Sequence, residues 1–249
     1  MVYQHAIALY LRGHVPESHV VFERLRLLER ERTPEIDAYV EVDEVHLSWA
    51  SGDAERALVH AHACAERANT LGNIGVLGVV VLRAFSWAFL AGGRYEDALK
   101  NAQDYGDAAA RAGRDHVAEA AVVLAAARLG IGEHCAAHAA AIEAIDLARR
   151  TPRAFCEILA HGVKARALLR RDGATAREEA AAAFLDAAAV IERTGARIFT
   201  PMLCEWRAEL AAVLGDDAGR VQLLSEAREH FERMGVPLQV ARLAALLPT

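Results

Sequence analysis

"AGGRYEDAL", residues 91–99, is the stretch from which the fold can be read. Two adjacent glycines end one segment; a tyrosine, two acids and Ala98–Leu99 open the next. The pattern returns in "ASGDAERAL" (50–58), with Gly52 and Ala57, and in "GIGEHCAAH" (130–138), with Gly132 and Ala137. Weaker copies surround Gly13, Gly173 and Gly215. Successive intervals between these six glycines are 39, 41, 39, 41 and 42 residues. Turn glycines at a nearly fixed interval are the mark of repeat architecture.

A second set of breaks falls between them: Gly72, Gly113, the Thr151–Pro152 pair, Gly195 and Gly235. Each unit therefore reads as helix, tight turn, helix, break. Glycine suits the residue after a helix because it takes positive φ without a Cβ penalty, and proline cannot continue a helix. The pattern predicts helices over about 2–12, 16–31, 34–50, 53–71, 75–91, 95–112, 115–130, 134–150, 153–171, 175–194, 200–213, 217–234 and 238–247. No run of alternating β-branched residues bounded by turns suggests a strand. The expected fold is all-α: a right-handed α-solenoid of about six antiparallel helical hairpins forming one domain over 1–249. Its repeats are placed at about 1–33, 34–72, 73–113, 114–151, 152–195 and 196–235, with 236–249 as a cap over the exposed end of the stack.

Small residues after each turn would let paired helices approach closely. Residues 95–112 carry Tyr95, Ala98, Leu99, Ala102, Tyr105 and Ala109 as a stripe at helical spacing, with Glu96, Asp97, Lys100, Asp104 and Asp107 opposite. Ser86 is small where the preceding helix would cross this stripe.

Composition narrows the function classes. The chain is 54% hydrophobic but 6% aromatic, and its net charge of −6 makes neither nucleic acid nor an anionic membrane a default partner. The most apolar run, 74–93, is broken by Arg83, which would cost about 2.5–3.5 kcal/mol at mid-bilayer. The N-terminus has neither the basic start nor the small-residue cleavage site of a signal peptide. Cys64, Cys135, Cys156 and Cys204 form no C-x-x-C pair, which fits free thiols and a cytoplasmic location.

"SWAFLAGGRYEDAL" (86–99) resembles the tetratricopeptide repeat: a small residue at Ser86, an aromatic at Phe89, the turn Gly93, then Ala98. The longer interval here is similar to that of the maltose regulator MalT. It also resembles the helical C-terminal regions of large LuxR-type ATP-binding regulators and ATPase-linked adenylate cyclases. "RTGARIFTPMLCEWRAELAAVLGD" (193–216) and "HFERMGVPLQVARLAALL" (230–247) look especially like the ends of such regions. The resemblance implies a superhelix whose inner groove, lined by the first helix of each unit, binds peptides, protein partners or small effectors. G-x-x-x-x-G-K-[ST], a DNA-binding helix-turn-helix and a cyclase domain are all absent, so the chain reads as a free-standing repeat protein or a piece of a larger regulator.

The resemblance also selects groove residues. Counting back from Gly93 gives Arg83 and Trp87; from Gly52, His46 and Trp49; from Gly132, Glu119; from Gly215, Glu205 and Glu209. Trp and Arg are favoured where binding energy concentrates. Trp49 also fits a core set with Ala38, Val42 and Val45. Lys164, Arg166, Arg170 and Arg171 could contact an anion, or could simply offset a helix C-terminal dipole. Lys164 joins the candidate groove set.

Chemistry is harder to find. His60 and Cys64, and His134 and His138, are spaced to share a helical face, but neither pair has a third ligand there. "GNIGVLG" (72–78) lacks the Lys-Ser/Thr of a phosphate loop, and no nucleophile motif occurs. "FERLRLLERER" (22–32) is a charge-laced solvated helix. No catalytic residue, metal or cofactor is expected. The expected function is a non-enzymatic scaffold that takes a protein or peptide segment in its concave groove. The alternative is an effector-sensing or self-associating domain of a multidomain transcription activator or adenylate cyclase.

Overall fold

The computed structural model describes residues 2–27, 34–71, 74–112, 116–151 and 153–248. Thirteen α-helices and no strands are found among them. Six consecutive pairs form antiparallel hairpins: α1 (Val2–Leu11) with α2 (Val15–Leu27), α3 (Pro34–Ser51) with α4 (Ala54–Leu71), α5 (Ile74–Ala91) with α6 (Tyr95–Ala112), α7 (Val117–Gly130) with α8 (His134–Arg149), α9 (Ala154–Asp172) with α10 (Arg177–Thr194), and α11 (Thr200–Val213) with α12 (Asp217–Arg233). The last helix, α13 (Pro237–Ala244), packs on α12. The protein is an all-α solenoid.

Helix boundaries follow the glycines. At Gly93 (φ 66°) the amide donates to Leu90 O at 3.2 Å and the Arg94 amide to Phe89 O at 2.9 Å, the paired bonds of a Schellman turn. The same two bonds close α1, α3, α7 and α11 at Gly13, Gly52, Gly132 and Gly215. Gly173 differs: a 3-10 helix, Gly173–Ala176, follows it, so α10 starts at Arg177 rather than near 175. Gly195 and Gly235 also hold positive φ and end α10 and α12. Breaks expected at Gly72, Gly113 and Pro152 lie outside the described residues, as do Glu29, Arg30 and Arg32 of the charge-laced segment. Where caps form, they are carboxylates: Asp53 accepts from the Arg56 amide at 3.0 Å and Asp216 from the Gly219 amide at 2.9 Å.

Alanine keeps the hairpins tight. Ala98, Ala102 and Ala109 of α6 are buried, as is Ser86 on α5. Asn101 Nδ2 bridges the pair, donating to Leu82 O at 2.6 Å and Ser86 Oγ at 2.8 Å. One continuous apolar core runs from Ala6 to Leu243.

Curvature follows from which helices meet. Successive odd-numbered helices touch from α3 through to α11, while among the described residues the even-numbered helices make no comparable contact with one another. The odd helices therefore line the inside of the bend. The bend is tight enough to bring the ends together, and α13 reaches past α12 to touch α3, which the expectation of a simple terminal cap did not include. Gln239 Nε2 donates to Ala50 O at 3.2 Å, Met234 packs over Gly13, and Pro16 packs over Gly235. The 3-10 helix Arg197–Phe199 also meets α1. The first and last units enclose the inner face.

Candidate functional site

Two adjoining chambers of about 440 Å³ each occupy the enclosed inner face. Their common wall is Trp49 on α3 and Trp87 on α5, whose rings meet edge to face with centroids 4.8 Å apart. The first chamber is aromatic, with Tyr10, Tyr39, Phe155 and Phe199 among its walls. Because α1 and α3 supply one side and α9 and Phe199 the other, this chamber exists only while the ends of the solenoid meet.

A buried ionic cluster lies behind it. Glu119 on α7 is fully buried. Its Oε1 accepts from Arg83 Nε and from Trp87 Nε1, both at 2.7 Å, and its Oε2 accepts from Arg153 Nη1 at 2.7 Å. His46 Nε2 approaches Oε1 at 3.1 Å, out of good hydrogen-bond alignment. One carboxylate thus ties together α3, α5, α7 and the residue before α9. Burial alone would raise the Glu119 carboxyl; the Arg83 guanidinium, with His46 and Arg153, outweighs it and holds the group well below the ordinary carboxylate range. Burial and then Arg83 push His46 down, so the ring is neutral near pH 7. Its Nδ1 lies 3.4 Å from Arg83 Nη2 and must accept there, which assigns the proton to Nε2.

The second chamber is more polar. Arg166 and Arg170 on α9 line it with Tyr95, His134 and Trp206. Glu209 on α11 holds both cations: Arg166 Nε donates to Oε1 at 2.9 Å and Arg170 Nη2 to Oε2 at 3.3 Å. Two glycines seat its rings. A Cβ on Gly130 would fall 2.2 Å from the Tyr95 ring, and one on Gly162 would fall 2.5 Å from the Trp206 ring.

Of the sequence-selected residues, His46, Trp49, Arg83 and Trp87 come together and line the cavity, with Glu119 sealed directly beneath. Trp49 belongs to the cavity wall, although Ala38, Val42 and Val45 are core. Glu209 reaches the second chamber through its arginines, whereas Glu205 turns toward α13 and is gripped by Arg242 at 2.7 Å. Lys164 lines neither chamber and faces Glu179 on α10 at 3.7 Å. It follows Val163, which does line the second chamber, and successive helical residues point about 100° apart. Arg166 and Arg170 are the groove cations on that helix. Tyr10, Tyr39, Asp43, Arg153, Phe155 and Phe199 also line the first chamber; Tyr39 and Asp43 precede His46 at helical spacing and were legible, Arg153 and Phe155 enter where α9 packs beside α7, and Tyr10 and Phe199 enter through end-to-end closure.

The histidine pairs do not converge. His60 Nδ1 lies 2.6 Å from Glu41 Oε2 while Cys64 is in the core. His134 lines the second chamber while His138 faces Glu179 at 4.0 Å. Among the described residues no three His, Cys, Asp or Glu side chains gather as a metal site requires, and no described helix is long and apolar enough to cross a membrane.

No family model matches the chain. No curated protein matches it either. Among solved structures it is similar to a Rap protein complexed with competence and sporulation factor, with a TM-score of 0.68 at 11% identity, over 99% of this chain and 72% of that one. It is also similar to the apo form of RapI, with a TM-score of 0.59 at 12% identity, over 98% of this chain and 70% of that one. At such identities the likeness concerns architecture: the chain folds as an all-α helical-repeat solenoid.

Proposed function

We infer that the protein is a non-enzymatic scaffold that binds a peptide or an extended protein segment in its inner cavity. The observation that carries this reading is the pair of chambers joined at Trp49 and Trp87: a concave, aromatic, partly enclosed surface on the inside of a solenoid. The similar Rap protein, crystallised with competence and sporulation factor, supports it. The buried charges serve architecture rather than catalysis: Glu119 is closed off by its own partners. A cytoplasmic location agrees with cysteines that are free among the described residues. The recurring interval of 39 to 42 residues supports the long-repeat, MalT-like type.

Panning a random peptide library on the purified protein tests this reading. Enriched peptides should bind the wild type and lose about 2 kcal/mol or more on Trp49→Ala, as expected of a central anchor. An unenriched library, or peptides indifferent to Trp49→Ala in a folded variant, would count against it.

A second reading is favoured by the first chamber alone. At about 440 Å³, apolar and half enclosed, it falls in the size range of small-molecule sites, which suits an effector-sensing domain. A small aromatic effector that shifts tryptophan emission while no peptide does would select it.

A further inference from the structure

We propose that the occupant of the cavity is an acidic peptide segment bearing one bulky apolar side chain. The apolar group enters the aromatic chamber, and a carboxylate a few residues away reaches Arg166 and Arg170 across the tryptophan wall. This rests on the peptide-binding reading and specifies its ligand.

The two chambers ask for different chemistry. In the first, the guanidiniums of Arg83 and Arg153 are balanced by two carboxylates, the buried Glu119 to which both are committed and Asp43 on the chamber wall. Little net charge is left to reward an ion, and the aromatic walls reward apolar surface; a charged group there would lose water without gaining a partner. In the second, two guanidiniums share one carboxylate, leaving an excess positive charge at the cavity surface. Each guanidinium has five N–H donors, more than Glu209 engages. Glu209 itself demonstrates the site's preference, since it is a carboxylate already seated between the two cations. Tyr95 on Gly130 and Trp206 on Gly162 offer flat ring faces beside them for the intervening backbone. The whole chain carries a net charge of −6, so bulk electrostatics oppose an acidic ligand. Any preference for one must come from this local pair.

The tryptophans make the test direct, because the chain's three, Trp49, Trp87 and Trp206, all line the chambers. Tryptophan emission is titrated with acetyl-EEGFGEE-amide, acetyl-KKGFGKK-amide and acetyl-EEGAGEE-amide. The first should bind roughly tenfold tighter than either of the others, and its lead over the lysine peptide should shrink as salt rises from about 0.05 to 0.5 M. Arg166→Gln with Arg170→Gln should erase that lead. Glu209→Gln, which leaves both cations in place, should strengthen binding of the acidic peptide by roughly threefold. If the lysine peptide binds as tightly as the acidic one, or Glu209→Gln weakens the acidic one, the charge assignment is overturned and the peptide-binding reading stands. If none of the three changes the emission and the library yields no binder, both fall.

Discussion

At the scale of single residues, Glu119 is the side chain on which most depends. It gathers two guanidiniums, an indole and an imidazole from three units, and is itself fully buried. Glu119→Gln keeps the shape but leaves Arg83 and Arg153 without their counter-charge, so it should cost about 3–5 kcal/mol in urea unfolding. A loss below about 1 kcal/mol would mean that the cations find another partner. The same cluster predicts a pH dependence. His46 has a folded pKa below its ordinary value, so the unfolded chain takes up that proton first, and stability should fall as pH drops below about 6.5. His138, His161 and His230 are shifted the same way and contribute. Glu119 is depressed instead: its stabilisation is present above the ordinary carboxylate pKa and is lost only as pH falls through its lower folded value. Glu205, whose carboxyl burial raises, acts in the opposite sense, so the loss of stability between about pH 6.5 and 5 belongs to histidine, and His46→Gln should reduce it in urea midpoints taken across that range. An unchanged slope would show that His46 does not titrate with unfolding. His46, Arg83, Trp87 and Glu119 were legible because a fixed turn sets the phase of the helix before it. Their mutual contacts were not legible, since these depend on how far each unit is rotated against the next.

At the scale of elements, the turn glycines and the alanine stripes do separate work, and substitution can tell them apart. Gly93 holds φ at 66°, and a Cβ there would meet only the Tyr95 ring, at 4.0 Å. Gly93→Ala should therefore cost about 1–2 kcal/mol through backbone conformation alone. Ala98 is fully buried in the α5–α6 hairpin, where Asn101 clamps Leu82 and Ser86. Ala98→Leu should cost about 1–3 kcal/mol through overpacking. Equal losses from Ala98→Leu and a surface Leu substitution such as Lys100→Leu would remove the overpacking explanation. The helices themselves were legible to within a residue or two where a Schellman turn ends them, because glycine there is a steric requirement. The exception is instructive. After Gly173 the chain winds through a 3-10 turn instead, so α10 begins later than the pattern suggested. Lys164, which lines neither chamber, lies on the helix that runs into that turn.

At the scale of the whole molecule, closure separates this protein from an open solenoid. In an open stack each unit contacts only its neighbours, so stability is a sum of local terms and the ends fray first. Here Gln239 reaches Ala50, Met234 covers Gly13, and α1 meets the 3-10 helix before α11. Nothing in the sequence announced this seam, because it depends on the accumulated rotation of six hairpins rather than on any local pattern. Its consequence is that α1 and α13 have long-range partners and should exchange their amide hydrogens nearly as slowly as α7, in the middle of the chain. Met234→Ala with Gln239→Ala removes a buried thioether and the bond across the seam; the methionine change alone is expected to cost about 2–5 kcal/mol. In that variant exchange should quicken in α1 and α13 while α7 keeps its protection, and the radius of gyration from solution scattering should increase. Because the aromatic chamber takes its walls from both sides of the seam, ligand affinity should fall in the same variant although no cavity-lining residue is changed. By linkage, a ligand that spans the seam must also hold it shut, so adding that ligand should slow exchange in α1 and α13 more than in α7. Uniform protection with and without ligand, or terminal helices that exchange freely in the wild type, would show that the ends meet too weakly to shape the cavity.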